Sequence, residues 1–476
     1  MNTILWHDYE TWGRDPRQDR PCQFAALRTD EALNPVDDPL ECHCEPSGDF
    51  LPDPEAVMIT GIGPRTARER GLPEREFCAR IAAQFLEPGS CVAGYNSLRF
   101  DDEVSRHLLY RCFYDPYERE WKNGNSRWDL LDVLRTTWAL RPEGIVWPEH
   151  EDGAPSFRLE QLTRANGIAH EDAHDALADV HATIAMARLV RERQPRLYDY
   201  LYGLRSKHRV LPLLDLAKRE PVLHVSGMFP TTRGCLGLVF PLLMHPRNSN
   251  GVIVLDLCSD PGPWLALDAA TLRDKLYTRR EDLPAGENRI ALKTIHVNRC
   301  PSLAPLTVLN PELIARHGLD LEAMQRHRDA VLAVPDLMAR LREVFDNTPD
   351  AGPEDPELML YSGGFFSAHD KRLMAQVQRL PPQHLAGLAG KFQDTRLPEL
   401  LFRLRARNHP ETLDAAEQAR WREHCRGRLS GEVAGPGPAW PEFGSKLDVL
   451  APQLGPALTA ELRNYGDELA QACGLA

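Results

Sequence analysis

The chain opens with a short apolar run, Thr3 to Trp6, that ends in the polar cluster His7-Asp8-Tyr9-Glu10. Residues 22–29 (CQFAALRT) form a second strand-like run. Between 74 and 86, Phe77, Ile81 and Phe85 recur four apart, on one face of a helix. Cys91 to Tyr95 predicts a short buried strand that stops at the turn residue Asn96, and a helix follows from Asp102 to Phe113. After His174 the stripe Leu177, Val180, Ile184 and Ala187 predicts another helix. Strand and helix patterns alternating in this way predict an α/β domain with a mixed sheet over residues 1–194.

The pattern changes after Pro195. Strand-like runs such as Gly251–Leu255 and Ile290–Lys293 are separated by turn clusters, among them His245-Pro246-Arg247-Asn248 and Ser259-Asp260-Pro261-Gly262. They predict a small β-rich domain over 195–348, with helix at 311–346. Pro349–Pro356, rich in Pro, Asp and Glu, reads as a linker. Residues 352–476 are helical in pattern, with segments at 366–379, 396–407, 412–428 and 446–472. The Gly- and Pro-containing stretch Ser430–Pro441 must be a loop.

Composition bounds this reading. The 476 residues are 42% hydrophobic and 26% charged, which suits large folded cores and excludes disorder as the main state. The length fits about three domains. No stretch approaches 18 consecutive apolar residues, so none spans a membrane. The N-terminus lacks the basic region of a signal peptide. The 11 Cys are scattered, so they read as reduced thiols and the protein as cytoplasmic. Cys42 and Cys44 flank His43 without zinc-finger spacing. The formal charge of −13 argues against a uniformly basic surface for nucleic acid, but not against a local track. Across 188–220, Arg and Lys outnumber Asp and Glu, and Tyr198, Tyr200 and Tyr202 sit among them. Basic and aromatic side chains interleaved in this way could follow a single strand, or could simply form a solvated helix face.

Three clusters carry candidate chemistry. Asp8 and Glu10 are two apart on a strand, so both carboxylates point to one face and could share a hard divalent cation. Asp101, with Asp102 and Glu103, opens a helix after Asn96. His174 precedes a helix for which Asp175 is a suitable N-cap, and Asp179 lies about one turn inside. Within one helix His174 and Asp179 would point about 140° apart, so His174 belongs on the preceding loop, where it can fold back. Taken singly, each cluster is also compatible with solvated acids or ordinary helix-end chemistry.

Together, D-x-E, then N-x₃-F-D, then H-x₄-D resembles the DEDD exonuclease superfamily in its histidine subclass. The likeness extends to His7–Thr11, Gly94-Tyr95-Asn96, Arg99–Glu103, Ser126–Asp132, Leu140–Gly144, Pro155–Glu160 and Ala173–Ala176, which resemble bacterial exonuclease I. It continues through His224–Phe229, Gly364–Ser367 and Arg405–Asn408, and weakens only at the 430–442 loop and the last helix.

The resemblance implies a ribonuclease H-like exonuclease domain, an SH3-like domain and an α-helical C-terminal domain. It implies a processive 3′→5′ exonuclease for single-stranded DNA that releases 5′-mononucleotides, acting in repair and recombination. Asp8, Glu10, Asp101 and Asp179 would hold two Mg²⁺ ions, with Mn²⁺ as a substitute, and His174 would be the general base. Positions matching Arg106, Tyr117, Trp121 and Arg135 look like strand contacts, while Glu10, Thr11 and Arg158 meet the 3′ end. Arg141, Tyr200 and Lys207 join the expected track. Trp128 and Trp138 fit core packing better. The resemblance further implies a monomer that docks the acidic tail of single-stranded DNA-binding protein, although Glu220 stands where a base would suit that tail. RNA-trimming relatives of the superfamily are much shorter chains.

Overall fold

In the computed structural model, which describes residues 2–170, 174–284, 286–287, 289–346 and 352–475, strand β1 (Thr3–Thr11) outruns the apolar segment that predicts it. Its alternation continues through the polar cluster, where His7 and Tyr9 turn into the core. β1 pairs antiparallel with β2 (Pro21–Asp30) on one side. β3 (Leu40–Cys44) continues the sheet antiparallel beyond β2, followed by the parallel two-residue β4 (Gly71–Leu72). On its other side β1 pairs parallel with β5 (Ser90–Gly94). The expected mixed sheet is thus present, in the order β4-β3-β2-β1-β5. Its central strand carries Asp8 and Glu10.

Two short helices are absent from the sequence reading, α1 (Pro54–Thr60) and α2 (Pro64–Arg70). Seven residues give too few turns for periodicity to register. Their end signals are present all the same: Asp53 caps α1, Pro54 starts it, and Gly61 ends it at φ +69°. α3 (Glu74–Phe85) buries Phe77, Ile81 and Phe85, as their spacing predicts. α4 is Asp101–Arg111.

The chain groups into two compact units. The first comprises Met1–Ser126, His170–Ile184 and Ala351–Ala476. Here the helical C-terminal segment does not build a core of its own alone. Leu373, Met374, Leu397, Leu400 and Leu404 share one with Phe77, Ile81 and Phe85, and Leu429, Phe443 and Leu462 share another with Trp12, Phe50 and Val57. Buried ion pairs reinforce both: Arg20–Glu357 at 2.8 Å and Arg407–Asp49 at 2.7 Å. The boundary near 352 therefore divides the sequence but not the packing. Residues 347–351 of the expected linker lie outside the described residues. The last helix begins at Trp440, earlier than expected, because Pro441 suits its first turn.

The second unit comprises Arg127–Ala169 and Ala185–Asp350, and β6 (Ser126–Asp129) straddles its start. Its sheet is antiparallel, built from β7 (Val222–Val225), β8 (Leu236–Met244), β9 (Gly251–Asp256), β10 (Leu292–His296) and β11 (Ser302–Pro305) in the order β10-β9-β8-β7-β11. β10 starts two residues later than the run Ile290–Lys293 suggests. The helix expected at 311–346 is present as three, Pro311–Arg316, Leu321–Leu332 and Leu337–Phe345, with Gly318 and Pro335 in the breaks. Leu337, Leu341 and Val344 pack on Leu236, Phe240 and Ile253. Among the described residues, no helix is long and apolar enough to cross a membrane.

Candidate active site

The site starts from strand pleating. His7 and Tyr9 face the core, where Tyr9 packs on Phe24 with ring centres 4.8 Å apart. Asp8 and Glu10 therefore share the opposite face. β5 ends at Gly94, and Asn96 in the turn that follows has a φ of +59°, a left-handed conformation that Asn tolerates better than most residues. That turn starts α4 so that buried Asp101 meets the central strand, its Oδ1 accepting from Tyr9 N at 3.2 Å.

The other two acids of this run face elsewhere. Asp102 pairs at 2.5 Å with Arg119, a fully buried arginine. Glu103 accepts from Arg106 Nη1 and from the Tyr361 hydroxyl, both at 2.6 Å. One continuous acidic triplet thus supplies one side chain to the site and two to structure.

The helix that follows His174, Ala176–Arg193, supplies the last part. Asp175 caps it, accepting from Ala178 N at 3.0 Å. His174 precedes it at φ +71°, exposed. This left-handed turn folds the imidazole back, as the sequence argument requires. Donor atoms of Glu10, His174 and Asp179 lie within 4.8 Å of one another. Asp8 and Asp101 are not in this tight set, but they belong to the same electrostatic cluster. Burial, then Asp101, Glu10 and Asp179, push Asp8 well above the usual carboxylate range. Burial, then Asp179 and Asp101, push Glu10 up to about 8. Burial also raises Asp179, against the pull of His170 and His174. Crowded, partly desolvated carboxylates of one sign need a counter-charge, and their oxygen donors suit a hard divalent cation.

Two residues of this site were not legible in the sequence. His170 Nε2 lies 2.5 Å from Asp179 Oδ1. Gln23, buried on β2 opposite Glu10, donates to Asp175 Oδ2 at 3.1 Å and accepts from Ala176 N at 3.3 Å. It ties the start of the Asp179 helix to the sheet. No spacing rule singles out either residue.

Of the expected strand contacts in the first unit, Trp121 is 65% exposed. Tyr117 is half-buried, with Phe365 edge-on at 6.1 Å. Phe365, in the Gly364–Ser367 run, is 89% exposed and is not among the strand contacts expected from the sequence. Arg106 differs from expectation. It is buried, donating to Glu103 at 2.6 Å and to Glu120 at 2.7 Å, so its charge is already matched inside the protein. The Thr11 hydroxyl is likewise engaged, donating to Gly13 O at 2.7 Å.

In the second unit, Arg158 and Lys207 are exposed. Arg135 is paired with Asp132 at 2.9 Å, and Arg141 donates to Leu140 O at 2.5 Å. The Tyr200 hydroxyl has no partner among the described residues. Trp128 is buried against Tyr198 and Tyr202, which is core packing as expected. Trp138 packs edge-on against Phe157.

Known proteins match most of the chain. The family model described as "Exonuclease" matches residues 5–187. "Exonuclease I SH3-like domain" matches 205–347, and "Exonuclease I C-terminal domain" matches 354–469. Exodeoxyribonuclease I of Escherichia coli is 49% identical over 428 residues, 90% of each chain. The solved exonuclease I of Methylocaldum szegediense superposes with a TM-score of 0.93 at 50% identity, covering 98% of this chain and 100% of that one. The zinc-bound form of the E. coli enzyme with single-stranded DNA gives 0.92 at 45% identity, covering 99% and 100%. With three successive family models across its length and a relative this similar, the chain belongs to the exonuclease I family.

Proposed function

We propose that the protein is a 3′→5′ exodeoxyribonuclease for single-stranded DNA that releases 5′-mononucleotides processively. The observation that carries this reading is the convergence of Asp8 and Glu10, Asp101, and His174 with Asp179 from three distant segments. The coarse activity follows from family membership; the residue roles are our assignment.

Asp8, Glu10, Asp101 and Asp179 would hold two divalent ions, Mg²⁺ by the hardness of their oxygen donors. Bound there, such ions supply Lewis acidity and offset the charge of the scissile phosphate. His174 receives the proton of the attacking water; imidazole is the side chain best matched to that step near neutral pH. Asp101, fixed by Tyr9 N, and Asp179, fixed by His170, hold their carboxylates in place.

Trp121, Tyr117 and Phe365 offer ring faces for bases, and Arg158, Lys207 and Tyr200 offer contacts to the backbone and 3′ end. The buried Arg106 guanidinium lies over the Tyr117 ring, 5.8 Å from its centre. Three domains (1–194, 195–348 and 352–476), a monomeric state, a cytoplasmic location and docking of the acidic tail of single-stranded DNA-binding protein complete the reading. Mg²⁺-dependent release of mononucleotides from DNA, abolished by chelator and much slower on a matched RNA, tests it. Clear preference for RNA would overturn it.

A further inference from the structure

A small cavity in the first unit is lined by Arg17, Arg20, Arg111 and Arg428, with Glu357 and Gly435 among the other wall residues. Its volume of about 10 Å³ accommodates one water-sized occupant. Arg20 is 4% exposed and Arg428 is 7% exposed. Arg20 spends Nη2 on Glu357, and Arg428 spends Nη2 on Asp355. Arg20 Nε and both Nε and Nη1 of Arg428 are buried without a partner among the described residues. Buried N–H groups of a cation left unmatched cost several kcal/mol, so three on two arginines that line this cavity call for an acceptor.

Besides its four arginines, the wall holds one carboxylate, Glu357, and one side-chain amide, Gln18. Glu357, the carboxylate on it, already accepts from Arg20 through Oε2 and from Arg407 through Oε1. The occupant therefore meets cationic donors on several sides and no free carboxylate. We propose that this cavity is a binding site for a monovalent, single-atom anion of chloride size, held by Arg20 and Arg428. Phosphate and sulfate are too large for it.

The site also gives the loop before the last helix a role. Gly435 closes the cavity, and a Cβ there would fall 2.3 Å from Arg428 Nη1. Two residues on, Gly437 N donates to Asp19 Oδ1 at 3.0 Å, in the turn between β1 and β2. The anion would thus join the C-terminal helices and their loop to the hairpin whose first strand carries Asp8 and Glu10.

Crystals of the full chain soaked in sodium bromide test this by anomalous scattering. A bromide peak within hydrogen-bonding distance of Arg20 Nε and Arg428 Nη1 is expected, together with a melting temperature a few degrees higher in chloride than in gluconate at equal ionic strength. The stabilisation should saturate with chloride and vanish in Arg428→Met. A water at that position with no anomalous signal in bromide would overturn the proposal, and that outcome needs only the parent protein. A chloride effect of equal size in Arg428→Met would also count against it.

Discussion

His170 Nε2 lies 2.5 Å from Asp179 Oδ1, so the carboxylate assigned to the metal site is held by a second imidazole as well as facing His174. Partners of this kind fix a ligand's orientation and typically tune metal affinity or activity 10- to 100-fold. His170→Ala should raise the Mg²⁺ concentration needed for half-maximal activity by roughly tenfold, with a smaller fall in kcat at saturating metal. A metal titration of activity separates the two. Unchanged metal dependence would show that Asp179 needs no such support.

His174→Ala should lower turnover by roughly 10²–10⁴-fold, the usual range for loss of a general base. Binding of a single strand, measured by fluorescence anisotropy, should stay within a few-fold of the parent. Turnover close to the parental value would transfer the base role elsewhere, with His170 the first candidate.

Arg106 and Trp121 should behave in opposite ways. Trp121→Ala removes an exposed ring and should weaken single-strand binding by about 1–3 kcal/mol while leaving the melting temperature nearly unchanged. Arg106→Ala removes a buried cation that pairs with both Glu103 and Glu120, and should destabilise the fold by about 3–5 kcal/mol. Denaturant titration and strand binding on the two variants check the pair.

His107 gives a pH dependence of stability. Burial, followed by the charge of Arg111, holds it down at about 4, although its ring donates to Glu103 O at 2.9 Å. The unfolded chain takes up that proton near 6.5, the folded chain only near 4. Stability from this group is therefore full above about 6.5 and falls as pH drops toward 4, by about 3 kcal/mol in total. Denaturation of the parent and of His107→Gln across that range should converge as pH falls. Parallel curves would mean that His107 is not held neutral.

How much of this the sequence disclosed depends on the kind of signal. Asp8 and Glu10 were legible because strand alternation converts a spacing of two into one face. His174 was legible because helix geometry excludes it from the helix that holds Asp179. Arg106 misled, since its neighbourhood of Arg and Tyr reads as a strand track. Nothing in the spacing shows that Glu103, one helical turn back, and Glu120 capture its guanidinium. Gln23 was invisible for a related reason. Its role follows from lying beside Glu10 across the sheet, and that register is set by tertiary pairing. The shared core of the C-terminal helices was hidden too, because composition marks a linker but not which surface the following helices cover.

The most direct test of the central claim is degradation of end-labelled oligonucleotides, single- and double-stranded, with the label at either end. A 5′-labelled single strand in Mg²⁺ should shorten progressively from its 3′ end, and a 3′ label should leave at once as a mononucleotide. The duplex should resist, and chelator should stop both reactions. Attack from the 5′ end, internal cuts or equal digestion of the duplex would contradict the account.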